Sequence, residues 1–557
     1  MDASGDRDAP QGLFVFIPGL PSRTVRGRPR WRRLVNRLTA DLGPDWRVEV
    51  FEHGLTATSR EDLDQVVRRL AAQMRDWTGD LSADLTAPGE IILAGHSFGG
   101  VLARAAYLLD SAGPSRPGRR WTELVRRMVL LGSPNAGYRT DAPGTPLRWR
   151  LAYALATPFV DFTFEKVQAG GYWITDLRLR WLDHSRWSAR ENRPHPLVVQ
   201  VLGTSDFLVT HEDILDQRFM PDAKVYEIPG ADHVGLIALD EAPDPDRRYA
   251  QLRAAILGRD DETPDAARST PSEPTAFILH GIRASALGSW VSDLGAGFRA
   301  AAGSDDAHVV SPDTGYFSAM EFALPGTRRR KVHEFLKLYG DAYASRDPDR
   351  FVFAGHSNGT YMMAQALDRV PSMRFRRIYL AGTVLPRRYD WHRRFEEHQV
   401  GAWSPEGWKP GAVRVDRATR DVPVGILCSW LRGLGSQDVG TAGVNGFELA
   451  ADGQVDQSRV LDGGHGSALE DEDQLTDIAA FLTEGATAPP SAATGQNWFG
   501  VASRIVGLRP IAWLLLGSMG VAAGRSLARL GEVRGPRVAV ATGAGAAVVV
   551  WAALRSI

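Results

Sequence analysis

Two serines sit in nearly the same sequence context. Ser97 lies in LAGHSFGG (93–100) and Ser357 in FAGHSNGT (353–360), so Ala-Gly-His-Ser-x-Gly occurs twice, about half a chain apart. A serine hydroxyl is a weak nucleophile until a base takes its proton, and the base needs a carboxylate to orient it. Each serine follows an apolar run and precedes an apolar helical stretch, GGVLARAAYLL or GTYMMAQALDRV. Strand, tight glycine turn and helix together lift a hydroxyl clear of a sheet. The chemistry to test for is therefore acyl transfer.

The elements that must position these serines repeat as well. Short apolar runs ending at glycine open both halves, LFVFIPGL (13–20) and AFILHGI (276–282). In the first half they are followed by RVEVFEH, EIILAGHS, RMVLLGSP, LVVQVLGT and KVYEIPGADH. The second half continues with AHVVSP, RFVFAGHS, RIYLAGTV, AVRVDRATRD and SRVLDGGHG. Such runs read as strands buried on both faces, the habit of parallel sheets. Amphipathic stretches such as EDLDQVVRRLAAQMRDW lie between many of them, which argues for an α/β fold. Two polar, Pro-rich segments, 258–274 and 484–497, lack apolar periodicity and read as linkers. The expected domains are 1–257, 275–483 and an apolar tail at 498–557.

Composition narrows the function classes. At 557 residues the chain is too long for one ordinary core. The net charge of -1 gives no overall attraction to nucleic acid. A single cysteine, Cys428, rules out an intrachain disulfide and fits a reducing compartment. The first dozen residues have no basic stretch followed by an apolar core, so no signal peptide is expected. No Cys/His cluster has metal-ligand spacing and no Gly-rich phosphate loop appears, so neither metal nor cofactor is expected.

Gly-x-Ser-x-Gly between strand and helix resembles the nucleophile elbow of the α/β-hydrolase superfamily, in particular its lipase- and esterase-like serine hydrolases. The resemblance covers both halves and not the tail. It implies two tandem α/β-hydrolase domains with mostly parallel sheets. In that family the chain order is serine, acid, histidine. The first half then supplies Asp206 after the strand in VLGTSDFLV and His233 after the strand in IPGADHVGL. The second supplies His465 in VLDGGHGSAL. Its acid has two candidates. Asp421 in ATRDVPV matches GTSDFLV, each with Thr two residues before the acid and Val three after. Asp438 in GSQDVGTAG matches the spacing, 27 residues before its histidine as Asp206 is before His233. Asp421 is preferred, because loop lengths vary more freely than strand ends. The resemblance further implies oxyanion donors at the backbone N–H groups of Phe98 and Asn358, after the nucleophiles, and of Leu20 and Ile282, after the first strand of each half.

Other features are weighed beside these. Thr360 stands where the first copy has Gly100 and is expected to crowd the helix packing. Residues 137–196 are rich in aromatics and read as a helical cap; the insertion in the second half is shorter. The run SRTVRGRPRWRR (22–33) is either a solvated basic face or a lure for an anionic group. TRRRKVHEF reads as a basic helix start. The tail has two uncharged stretches, 510–524 and 538–554, both shorter than the roughly 20 residues of a spanning helix. They are read as an apolar helical hairpin associated with a membrane, with the hydrolase domains on the cytoplasmic side. The alternative is a hairpin buried on those domains.

Two functions follow. The first is a serine hydrolase cleaving a small-molecule or lipid acyl bond, without metal or cofactor, in which the second domain is also catalytic. The other is a membrane-tethered binding or sensing protein in which at least the second domain does not turn over. Oligomeric state is left open by the sequence.

Overall fold

The structure, a computed structural model, describes residues 11–20, 29–56, 59–79, 88–111, 120–139, 166–209, 215–258, 263–281, 289–311, 322, 325–449, 453–486 and 498–534. Two compact units emerge. One comprises residues 1–270 with 339–345, the other 271–338 with 346–557.

The first unit is built on six parallel strands. They are β1 (Gly12–Ile17), β2 (Trp46–Val50), β3 (Glu90–His96), β4 (Val125–Leu131), β5 (Leu197–Gly203) and β6 (Ala223–Ile228). Their order across the sheet is β2-β1-β3-β4-β5-β6. β1 and β3 run in register from Gly12 opposite Glu90 to Ile17 opposite Gly95. Every residue of β1 is buried, which is why it reads as an unbroken apolar run. The strand order reverses between β1 and β3, so a crevice opens at their carboxyl ends, where ligands bind in such sheets. Helices cover the faces. Leu63–Thr78 starts at Asp62, whose side chain accepts from the Asp64 N–H, and buries Val66, Val67, Leu70 and Met74. Pro245–Leu257 is capped by Asp244, with Pro at its start. One face of the sheet, with Phe14, Phe16, Ile92, Val129 and Val199, packs against Leu34, Leu38, Leu252 and Ile256 from the helices.

The second unit repeats this plan. Its strands are β7 (Thr275–Leu279), β8 (His308–Val310), β9 (Phe351–His356), β10 (Arg377–Ala381), β11 (Gly401–Ser404), β12 (Gly407–Pro410), β13 (Ala412–Ala418), β14 (Val455–Asp456) and β15 (Val460–Leu461). The main sheet runs β14-β13-β10-β9-β7-β8, with β15 also paired to β13. Its first strand again lies one in from an edge, its second forms that edge, and its third, on the first strand's other side, carries the Gly-His-Ser motif. The antiparallel hairpin β11–β12 has no counterpart among the described residues of the first unit and lies in the shorter insertion.

Where it is described, the Arg-rich run is a surface basic face: Arg32 is exposed, Arg30 pairs with Glu241 and Arg33 with Asp240, while 22–28 lie outside the described residues. TRRRKVHEF opens the helix Pro325–Ser345, as expected, and its Arg328 is buried and pairs with Asp438 at 3.1 Å. The described part of the expected cap is the helix Tyr172–Arg190. It packs on the helix Phe98–Ser111, with Trp181 edge-on to Tyr107. The tail forms the helices Trp498–Val506 and Arg509–Arg534, bent by 76° at their junction. Residues 525–534, between the two apolar stretches, continue the second of these helices, because Arg, Leu, Ala and Glu are strong helix formers. The second apolar stretch, 538–554, lies outside the described residues. Among those described, no single helix is long and apolar enough to cross a membrane.

Candidate active site

Ser97 follows β3 directly and opens the helix Phe98–Ser111. Its φ of 53° lies in a region that non-glycine residues avoid, at a cost of roughly 1–3 kcal/mol. The sheet holds it there: the Ser97 N–H donates to Leu131 O, at the end of β4, at 2.8 Å. Glycine is required around it. A Cβ at Gly99 would lie 2.0 Å from Ile17 O, and one at Gly19 would lie 2.6 Å from Ser97 Cβ. The loop after β1 therefore runs hard against Ser97, with Leu20 next in the chain.

β5 and β6 deliver the partners. The Ser97 hydroxyl donates to His233 Nε2 at 2.7 Å, and His233 Nδ1–H donates to Asp206 Oδ2 at 2.8 Å. The other carboxylate oxygen, Oδ1, accepts from the N–H groups of Leu208 and Val209. With both oxygens engaged, the carboxylate is fixed in place and selects the His233 tautomer that leaves Nε2 free to accept. Ser97, Asp206 and His233 are all buried.

The second unit makes the same elbow. Ser357 has φ 55° and donates its N–H to Ala381 O, at the end of β10, at 3.2 Å. Cβ atoms at Gly359 and Gly281 would meet Leu279 O at 2.4 Å and Ser357 Cβ at 2.2 Å. His465 Nδ1 lies 2.9 Å from Asp421 Oδ2, and Asp421 Oδ1 accepts from the Val424 N–H. Asp438 is engaged elsewhere, accepting from Tyr361 Oη at 2.8 Å and from Ser436 Oγ at 2.7 Å. Burial works against its charge, but Arg328 and these two hydroxyls hold its carboxyl below the ordinary value. Among the described residues Ser357 makes no hydrogen bond to His465. Asn358 follows Ser357 as Phe98 follows Ser97, while Ile282 lies outside the described residues.

The sequence pattern of the alpha/beta hydrolase family matches residues 14–252. Residues 14–252 are an α/β-hydrolase domain. Among solved structures, carboxyl esterase 2 from the fungus Tuber melanosporum aligns at 18% identity, over 45% of this chain and 77% of its own, with a TM-score of 0.32. The peroxisomal α/β-hydrolase Lpx1 of Saccharomyces cerevisiae aligns at 13% identity over 47% of this chain and 82% of its own (TM-score 0.28). A thermophilic esterase of the planctomycete Thermogutta terrifontis aligns at 15% identity over 47% and 87% (TM-score 0.30). No curated protein matches the chain.

Three residues that support the two serine sites escaped the sequence reading. His96, before Ser97, donates from Nε2 to the backbone oxygen of His233 at 2.9 Å. Burial, and then the neighbouring His233, push its pKa down to about 3, so it stays neutral and holds the loop that carries His233. His356 does the same for His465 at 2.9 Å, and burial holds its pKa near 3 too. The repeated Gly-His-Ser was the available signal. His53, after β2, accepts from the Leu55 N–H and donates to Pro18 O at 3.1 Å, anchoring the loop after β1.

Thr360 does not crowd its helix. A Cβ at Gly100 would meet Ser133 Oγ at 2.6 Å. In the second unit Thr360 instead bonds Thr383 at 3.2 Å and donates to Ser357 O at 2.7 Å. Among the described residues no group of three or more His, Cys, Asp or Glu side chains could hold a metal ion.

Proposed function

We propose that the chain is a serine hydrolase that cleaves a carboxylic ester, with Ser97, His233 and Asp206 as its catalytic triad. The observation that carries this reading is the unbroken hydrogen-bonded series from Asp206 through His233 to Ser97, set on a strained elbow at the sheet's switch point. Ser97 Oγ attacks the acyl carbon while its proton passes to His233 Nε2. The Phe98 and Leu20 N–H groups receive the carbonyl oxygen as it gains charge. The leaving alkoxide takes the proton from His233. Water then attacks the acyl-enzyme, with His233 again accepting a proton and returning it to Ser97. We assign Ser357, His465 and Asp421 as a second triad of the same kind.

Labelling the full-length protein with a fluorophosphonate probe tests both sites. Ser97→Ala should abolish labelling at the first site, Ser357→Ala at the second, and the double variant should be silent. A double variant that labels like the wild type would end the proposal. A protein labelled only at Ser97 would make the second unit a binding module.

We further propose that the tail docks on a membrane surface, with the hydrolase units on its cytoplasmic side. Among the described residues, nine of fourteen exposed large hydrophobics fall in 422–426 and 501–521, including Val501, Ile505, Leu508, Trp513, Leu514 and Leu515. Residues 498–530 contain four arginines and no acid, which suits anionic headgroups. The opposite side is held by protein, with Trp430 Nε1 donating to Ala512 O at 3.1 Å and Phe499 against Gly425. Flotation with anionic vesicles should lose most of the bound protein on Leu514→Glu with Leu515→Glu. Full retention would refute the docking.

A further inference from the structure

We propose that Tyr138 is a latch on the first site: its phenol occupies the place that the substrate's carbonyl oxygen must take, and an acyl group reaches Ser97 only after it leaves. This rests on the reading of Ser97 as the nucleophile. The phenol oxygen lies 2.6 Å from Ser97 Oγ. Since the serine hydroxyl already donates to His233, the phenol is the donor and Ser97 Oγ the acceptor. The Phe98 N–H, the donor that the oxyanion needs, acts on the same phenol, working to lower its pKa against the rise that burial causes. An oxyanion must lie roughly 2.7–3.1 Å from that N–H and bonded to the carbon that Ser97 attacks. Two oxygens cannot share that space.

The latch is built in at both ends. Tyr138 is 4% exposed, and burial raises its pKa, so the phenol keeps its proton. Its backbone N–H donates to Val167 O at 2.9 Å, and the Ala169 N–H donates to Tyr138 O at 2.9 Å. Gly137, at φ 97°, lets the chain approach this segment, since a Cβ there would lie 2.6 Å from Ala169 N. Below it, Asn135 donates to Gln200 Oε1 at 2.9 Å, tying the same loop to β5. Residues 167–169 are bonded to Tyr138 on both sides, so movement of this segment and release of the phenol are mechanically joined. Among the described residues, none is hydrogen-bonded to the Ser357 hydroxyl in this way in the second unit. Seven residues after the end of β10, where Tyr138 stands after β4, is Arg388, which pairs with Glu448.

The test is the rate at which a fluorophosphonate labels Ser97 in full-length Ser357→Ala protein, with and without Tyr138→Phe. Phenylalanine keeps the ring and removes the phenol oxygen with its hydrogen bond to Ser97. With a net value near 1 kcal/mol for that bond, labelling should accelerate about fivefold or more. Thermal melting checks that the variant folds. An unchanged rate would overturn the latch. A folded variant that labels ten times more slowly would also overturn it, and would make the phenol an oxyanion donor. If neither form labels, the acyl-transfer reading fails separately. Hydrogen exchange at the Phe98 amide then decides the latch: Tyr138→Phe must accelerate it, and unchanged exchange refutes it.

Discussion

The two serine sites share a backbone and differ in what meets the hydroxyl. Both serines sit at positive φ, both are held by an N–H bond to the neighbouring strand, and both have a glycine packed on their Cβ. Both histidines that precede them hold the loop of the triad histidine proposed for their unit. The Ser97 hydroxyl is engaged twice, by His233 and by Tyr138. Around Ser357 the acid and histidine are joined but the serine is not joined to them. The side chain of His465 is 20% exposed, against 7% for His233. The elbow is thus a property of the sheet and its glycines. Whether it is armed, latched or idle is set by the segments after the fourth and fifth strands of each unit.

The largest test of that contrast is removal of the acids. In the first site Asp206→Asn leaves a neutral group opposite His233 and favours the wrong tautomer, so Ser97-dependent labelling should fall by about four orders of magnitude. Asp421→Asn should lower whatever labelling Ser357 shows by a comparable factor if His465 closes on Ser357 during turnover, and by little if it does not. Asp438→Asn should leave labelling at both serines unchanged and cost stability instead, about 2 kcal/mol for the lost bonds of the buried Arg328. Labelling at Ser357 that vanishes with Asp438→Asn and survives Asp421→Asn would reverse the assignment of the acid.

How much of this was legible follows from what each feature depends on. Strands such as LFVFI and RFVFAG announce themselves because parallel strands are covered on both faces. Asp421 was legible because its neighbours repeat those of Asp206, a local pattern that ends a strand. The equal 27-residue spacing pointed to Asp438, whose carboxylate is taken by Arg328 and Tyr361, partners that no local pattern names. The hairpin β11–β12 lay unread in WSPEGWKP, an insertion with no counterpart to compare. Tyr138 was invisible for a different reason. Its role depends on a bridge to Gln168 across a long insertion, and nothing in SPNAGY shows where that loop is pinned.

The smallest effect concerns the two histidines that precede the serines. His96 and His356 are neutral in the fold, with burial holding each pKa near 3 against an ordinary 6.5. In the unfolded chain both take up a proton below about pH 6.5. Between that pH and about 3 the unfolded state binds more protons, so stability rises with pH across this window. Their contribution is complete above 6.5 and is lost as pH falls toward 3. His96→Gln and His356→Gln each keep an N–H donor but cannot titrate. Each should flatten the pH dependence of its own unit and leave the other's unchanged. His184 and His333, also lowered by burial to about 4, keep a residual slope in both. Hydrogen exchange followed from pH 7 to 4 on peptides spanning 90–111 and 351–369 reads the two units separately. If the double variant shows the wild-type slope in both peptides, the buried histidines are not what makes the elbows acid-sensitive. If only one peptide responds, the two elbows differ in their supporting loops as well as around their hydroxyls.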